Sequence, residues 1–304
     1  MREVLSKFLS TRALEDRKFF VLSGDHGYAL FDEINQKAPK QFINTGVNEQ
    51  AMVGLAAGMA KTGKKIVVYG LASFIPIRVL EFIKIDICYE NLPVIILGDG
   101  AGTVYTTLGA SHQCTEDIAC LRTLPIKIYS PADKFEMELT LAEAINNEMP
   151  SYIRIGKSDR PIIPRSPNIT KLSETIPIYN QDSKTCILAT GSMLHTGFQL
   201  AQKHRFALYS CPILNLYEIE NFIQTLKKYQ SVITIEEHSV RGGLGEIIAN
   251  IIAENHLNIK FIKFGIKEYF TRGCGSYDYA LKYHHLDFHS IESELFAKGY
   301  ISNL

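Results

Sequence analysis

The sequence predicts an α/β protein of two consecutive domains, each a mostly parallel sheet flanked by helices. Three observations predict it. Short Ile/Val-rich runs alternate with longer segments of helical period through residues 19–155. A proline-rich stretch then breaks the alternation, which resumes near residue 185. Strands that alternate with helices argue for parallel pairing, because a parallel crossover is long enough to hold a helix.

In chain order, residues 19–22 form an apolar run ending at Ser23-Gly24, a turn signal. Residues 47–62 read as a helix closed by Gly63, and 65–69 as a strand. Residues 74–89 have helical period, with Pro76 tolerable only near the start. Residues 93–97 form a strand that ends in the glycine-rich loop 98–102. Residues 115–122 read as helix, 126–129 as strand, 133–147 as helix and 152–155 as strand. Pro161, Pro164, Pro167 and Pro177 then fall among Asn, Ser and Thr, which breaks helix and ladder alike. The expected organisation is a first domain over 1–160, a linker over 161–184 and a second domain over 185–304. In the second domain, 186–189, 206–209, 232–235 and 259–264 read as strands. Thr190-Gly191-Ser192 opens a helix, Gly242-Gly243-Leu244-Gly245 opens another, and 291–298 is a final amphipathic helix.

Composition narrows the function classes. The 304 residues carry 32 basic and 32 acidic side chains with no basic stripe, which argues against nucleic-acid binding. Apolar runs are strand-sized, short of the roughly 20 residues that span a bilayer. No apolar core follows Met1-Arg2-Glu3, so no signal peptide is expected. Six scattered cysteines form no CxxC pair, as expected of reduced thiols in a cytoplasmic protein. His285 and His289 lie four apart but lack a third ligand, so no metal site is expected on this chain.

The segment Asn44-Thr45-Gly46-Val47-Asn48-Glu49-Gln50 precedes a helix of small residues: Ala51, Gly54, Ala56, Ala57, Gly58 and Ala60. Glycines weaken such a helix and make sense where another backbone approaches closely. Glu49 falls in the first turn, where the helix dipole favours a carboxylate. Spacing alone leaves open whether Glu49 complements the dipole or does chemistry.

"INTGVNEQAMVGLAAGMAKTG", "GLASFIPIRVLEFIKIDICYENLPV", "LGASHQCTEDIACLRTLP", "PADKFEMELTLAEA", "ATGSM" and "EEHSVRGGLGEIIA" together resemble the transketolase family across nearly the whole chain. The resemblance implies a pyrimidine-binding domain followed by a transketolase C-terminal domain, and thiamine diphosphate as cofactor. In that family a glutamate hydrogen-bonds the aminopyrimidine ring and promotes loss of the thiazolium proton; this implies Glu49 as the activating acid in a partly desolvated setting. It implies Phe74 as the aromatic residue packed on the pyrimidine. It implies His112 as a residue facing the reacting centre, handling protons or substrate hydroxyls. By the same resemblance Asp25 lies near the cofactor at a subunit interface, and Arg154 and Arg2 take positions where the family places substrate-phosphate arginines, a task suited to a forked guanidinium.

Gly98-Asp99-Gly100 mimics the family's metal and diphosphate segment, yet the next asparagines, Asn146 and Asn147, lie too far along. Asp99 is therefore expected to be a loop residue. The diphosphate-binding domain and the Mg²⁺ ligands are then expected on a separate, N-terminal-type subunit, giving an α2β2 assembly. The loop 100–108 departs from ordinary transketolases: Gly100 and Leu108 stand about where a histidine and an aspartate contact sugar hydroxyls, with Tyr105, Thr106 and Thr107 as the polar groups available. That points away from the common pentose-phosphate reaction, toward a specialised ketose phosphate or a nucleotide-linked sugar. The alternatives are the β subunit of a 2-oxo acid dehydrogenase and a non-catalytic assembly or regulatory subunit.

Overall fold

The computed structural model describes residues 1–179, 182–214, 219–267 and 270–301. Its first sheet holds β1 (Phe19–Ser23), β2 (Phe42–Asn44), β3 (Lys65–Leu71), β4 (Val94–Asp99), β5 (Lys127–Tyr129) and β6 (Ser151–Ile155) in the order β2-β1-β3-β4-β6-β5. Every pairing in it is parallel. The helices of this domain are α1 (Arg2–Glu15), α2 (Asp32–Lys37), α3 (Glu49–Lys61), α4 (Leu80–Phe82), α5 (Asp117–Leu121) and α6 (Lys134–Asn146). The segment expected as one helix over 74–89 is instead a 3₁₀ turn (Ile77–Val79), α4 and a π-helix (Ile83–Cys88). Such departures are frequent at functional sites.

The second sheet holds β7 (Ile176–Tyr179), β8 (Thr185–Ala189), β9 (Ala207–Ser210), β10 (Ser231–Ser239) and β11 (Lys260–Ile266) in the order β11-β10-β8-β9-β7. Only β7 runs antiparallel. Its place within 161–184 means that the expected linker supplies an edge strand of the second sheet. Pro177 is tolerated there because one side of an edge strand needs no donor. The helices α7 (Leu194–His204), α8 (Glu220–Leu226), α9 (Leu244–Glu254), α10 (Tyr277–Tyr283) and α11 (Phe288–Ala297) complete the domain. Among the described residues, no helix is long and apolar enough to cross a membrane.

The two domains share a core. The apolar layer on one face of the first sheet (Leu22, Val68, Ile96, Tyr152) continues into Cys211, Leu214 and Phe222 of the second domain. Backbone bonds stitch the same seam, Ser130 N to Pro212 O at 2.8 Å and Leu214 N to Ile128 O at 3.0 Å.

Because β1 to β4 are parallel, the loops that follow them emerge at one edge. The chain leaves β1 for β2 on one side and then returns to β3 on the other. Such a reversal opens a crevice at the carboxyl ends of the strands, the usual ligand position in open α/β sheets.

Candidate active site

Glu49 opens α3 one residue after its cap, Asn48, whose side chain accepts from Ala51 N at 3.1 Å. The carboxylate is 2% exposed. Oε2 accepts from Arg78 Nη1 at 3.0 Å. Oε1 is buried with no hydrogen-bond partner among the described residues. A buried, unmatched carboxylate oxygen is costly, and this one is free to accept from a donor outside the described residues.

Phe74 follows β3 at the crevice. The Arg78 guanidinium lies over its ring, 4.2 Å from the centroid. His112 meets Phe74 edge-on at 5.4 Å between centroids, and His26 lies 6.1 Å away on a tilted ring. Thus the loops after β1, β3 and β4 bring His26, Phe74 and His112 into one row. His112 Nδ1 is 3.0 Å from Ser111 Oγ. That contact leaves Nε2 for another partner.

His26 and Arg78 escape a reading of the sequence. His26 directly follows Asp25 in the turn after β1, and its Nε2 is a buried atom without a partner among the described residues. Arg78 stands four residues after Phe74, the spacing of one helical turn.

The other expected residues make bonds within the chain. Asp25 is exposed at φ +63° and is tied to Asn44, Asp25 N to Oδ1 and Asn44 Nδ2 to Asp25 Oδ1, both at 3.2 Å. That is a turn-capping arrangement. Arg2 donates to Tyr28 O at 3.1 Å and pairs with Asp99 Oδ2 at 3.5 Å. Asp99 also accepts from Tyr69 Oη at 2.8 Å and Tyr105 Oη at 2.9 Å, so protein groups engage its carboxylate.

Arg154 is a correction. It is 2% exposed, with Nε on both oxygens of Asp117 at 3.1 and 2.9 Å and Nη2 on Glu237 O at 2.6 Å. Burial alone would lower its pKa, but Asp117, Tyr152 and Glu237 raise it, so the guanidinium stays charged. A side chain enclosed by its own fold offers no edge to a substrate phosphate. Arg154 instead joins the two domains, because Glu237 belongs to β10. Next to Glu237, His238 accepts from Ala119 N at 3.3 Å and donates through Nδ1 to Ser239 O at 2.9 Å.

Comparison with known proteins gives the family. The model of the transketolase pyrimidine-binding domain matches residues 1–161, and that of the transketolase C-terminal domain matches residues 175–291. This chain belongs to the transketolase family. It is 32% identical to a putative transketolase C-terminal section of Methanocaldococcus jannaschii, over 90% of this chain and 87% of that protein. It is 28% identical to one of the subunits of the apulose-4-phosphate transketolase of Phocaeicola vulgatus, over 86% of each. A solved structure described as a split gene transketolase, inactive beta4 tetramer, superposes with a TM-score of 0.85 at 29% identity, covering 96% of this chain and 95% of that one.

Proposed function

We propose that this chain supplies the pyrimidine side of the active site of a split transketolase, which a separate subunit completes. The observation that carries the reading is the buried Glu49 carboxylate, one oxygen held by Arg78 and the other unmatched, beside Phe74 and His112. That constellation fits the aminopyrimidine of thiamine diphosphate: a hydrogen-bonding oxygen in a dry site, next to an aromatic ring. When bound, the cofactor would supply a carbon acid that, once it has given up its proton, adds to a ketone and takes up the electron pair released by carbon–carbon cleavage. Glu49 Oε1 would give or take a proton at a ring nitrogen. Phe74 would pack against that ring. His112, with Nδ1 against Ser111, uses Nε2 to give or take a proton at a substrate hydroxyl.

The partner subunit carries the diphosphate contacts and Mg²⁺ ligands, in an α2β2 assembly. An exposed face of α3 supports an approach from outside. Ala51, Leu55 and Gly58 are exposed on it, and beyond the adjoining helix backbone no atom lies within 4 Å of a Cβ built on Gly54 or Gly58. Nothing in this chain's own packing requires those glycines.

The reaction is transfer of a two-carbon ketol unit between sugars, phosphorylated or nucleotide-linked. Similar proteins are named for apulose-4-phosphate and for 6-deoxy-6-sulfo-D-fructose, which favours a specialised ketose here. In loop 100–108, Tyr105 and Thr106 are bonded internally, to Asp99 and to Thr103 O. Thr107 is exposed and remains for a substrate hydroxyl. The test is to reconstitute the chain with its partner and screen ketose phosphates and nucleotide-linked sugars for ketol transfer to aldoses. Transfer is the expected result; turnover of pyruvate onto a lipoyl acceptor would instead establish a role in a 2-oxo acid dehydrogenase.

A further inference from the structure

The loop that carries His112 is held from the second domain. Thr103 N and Oγ1 donate to Glu237 Oε1 at 2.6 and 2.8 Å, and Glu237 Oε2 accepts from Tyr277 Oη at 2.5 Å. Gly275 N donates to Thr106 O at 3.4 Å. At the far end of the loop, Gln113 is linked to Thr271 and, through it, to His284.

The order of donors in that link is fixed by chemistry. Thr271 has one hydroxyl proton and donates it to Gln113 Oε1 at 2.8 Å. Its contact with His284 Nε2, also 2.8 Å, must then be accepted by the hydroxyl, so the imidazole proton sits on Nε2. Burial lowers the His284 pKa to about 4, so the ring is neutral near pH 7. On the other side, Gln113 Nε2 donates to Thr106 Oγ1 at 3.0 Å, and Thr106 donates to Thr103 O at 2.5 Å. These bonds therefore all run one way, from the His284 ring to the Thr103 carbonyl, and the Gln113 amide has one orientation. Gln113 closes the short turn Ala110–His112, and Cys114 beside it pairs with Gly102 through 2.7 and 2.9 Å bonds.

We propose that Thr271 and His284 are positioning residues: through the Gln113 amide they hold the His112 ring against Phe74. The inference rests on the role given to His112 above. It assigns the second domain a part in catalysis, exerted through the His112 loop and not by contact with the substrate.

Thr271→Val removes the donor at nearly constant volume, and Thr271→Ser keeps it. Hydrogen exchange over residues 102–114 of the full chain and kinetics of the reconstituted assembly are read together. Thr271→Val is expected to speed loop exchange and lower kcat about ten-fold, as for one lost hydrogen bond, with thiamine diphosphate affinity unchanged; Thr271→Ser restores both. Unchanged exchange in Thr271→Val, or equal impairment of the Val and Ser variants, overturns the proposal. His112→Ala is the separating control. If it leaves kcat intact, the reading of His112 has failed. The exchange data then decide the hydrogen-bonded clamp alone, and its link to catalysis is overturned.

Discussion

Arg78 and Glu49 divide the labour at the mouth of α3: Arg78 Nη1 holds Glu49 Oε2 at 3.0 Å and leaves Oε1, in the same buried carboxylate, without a partner among the described residues. Arg78 also covers the Phe74 ring, so one guanidinium orders the hydrogen-bonding and the stacking group together. The carboxylate cannot rotate freely, and the open oxygen is presented in a fixed direction.

Glu49→Ala is expected to lower kcat by about 10²–10⁴-fold, the range typical of a lost acid–base group. The assembly should still form, because the Glu49 carboxylate is bonded within the first domain, to Arg78. Kinetics and gel filtration on one preparation check this. A variant of full activity contradicts the role of Glu49, and an assembled but inactive one excludes a purely structural subunit.

Much of this is legible in the sequence, for identifiable reasons. Most strands announce themselves through short apolar runs, and α3 through a stretch of small residues closed by Gly63, whereas β2 is only three residues long and β7 lies in the proline-containing stretch expected to be linker. Helix α1 is less evident, although Leu5, Leu9 and Ala13 recur at intervals of four and are buried. Arg154 misleads because its partners are remote: Asp117 lies 37 positions away and Glu237 lies 83 away. No local pattern encodes such a contact. Thr271 and His284 stay hidden for the same reason, since Thr271 meets Gln113, 158 positions away, only after the domains dock.

Arg154→Met should destabilise the chain by about 3–5 kcal/mol, the usual cost of leaving a buried charge without its partner. Among the described residues, Asp117 would retain the Tyr152 hydroxyl, at 2.8 Å, as its side-chain donor. Urea unfolding of the full chain measures the loss. A change below about 1 kcal/mol would mean that the seam tolerates an unpaired Asp117.

His238 predicts acid sensitivity. It is fully buried between Asp117, Glu236 and Arg154, and burial, outweighing Asp117, lowers its pKa from 6.5 to about 4. Between those values the unfolded chain takes up a proton that the folded chain refuses. Stability is therefore fully present above pH 6.5 and falls as pH drops toward 4, by about 3 kcal/mol at most from this group. Because Glu236, raised to about 7, and His284, lowered to about 4, titrate in the same window, the His238 share is read as a difference: the wild type should lose stability relative to His238→Gln as pH falls from 6.5 to 4. An identical slope in the variant would assign the effect to other groups.

Gly58→Leu tests the exposed face of α3. Gly58 is exposed and a Cβ there meets nothing beyond the adjoining helix backbone, so the melting temperature of the isolated chain should hold or rise slightly, since Gly is a poor helix former. Association with the partner should weaken about ten-fold or more, because the added volume blocks close approach. Analytical ultracentrifugation reads both species, and undiminished assembly would place the interface elsewhere.

In the proposed split enzyme the cofactor site is shared between two chains. Calorimetric titration of thiamine diphosphate with Mg²⁺ into this chain, alone and mixed with its partner, tests it most directly. Tight binding to the mixture and weak binding to the single chain is the predicted result. Tight binding to this chain alone would contradict the account, because it would place the diphosphate and metal contacts here.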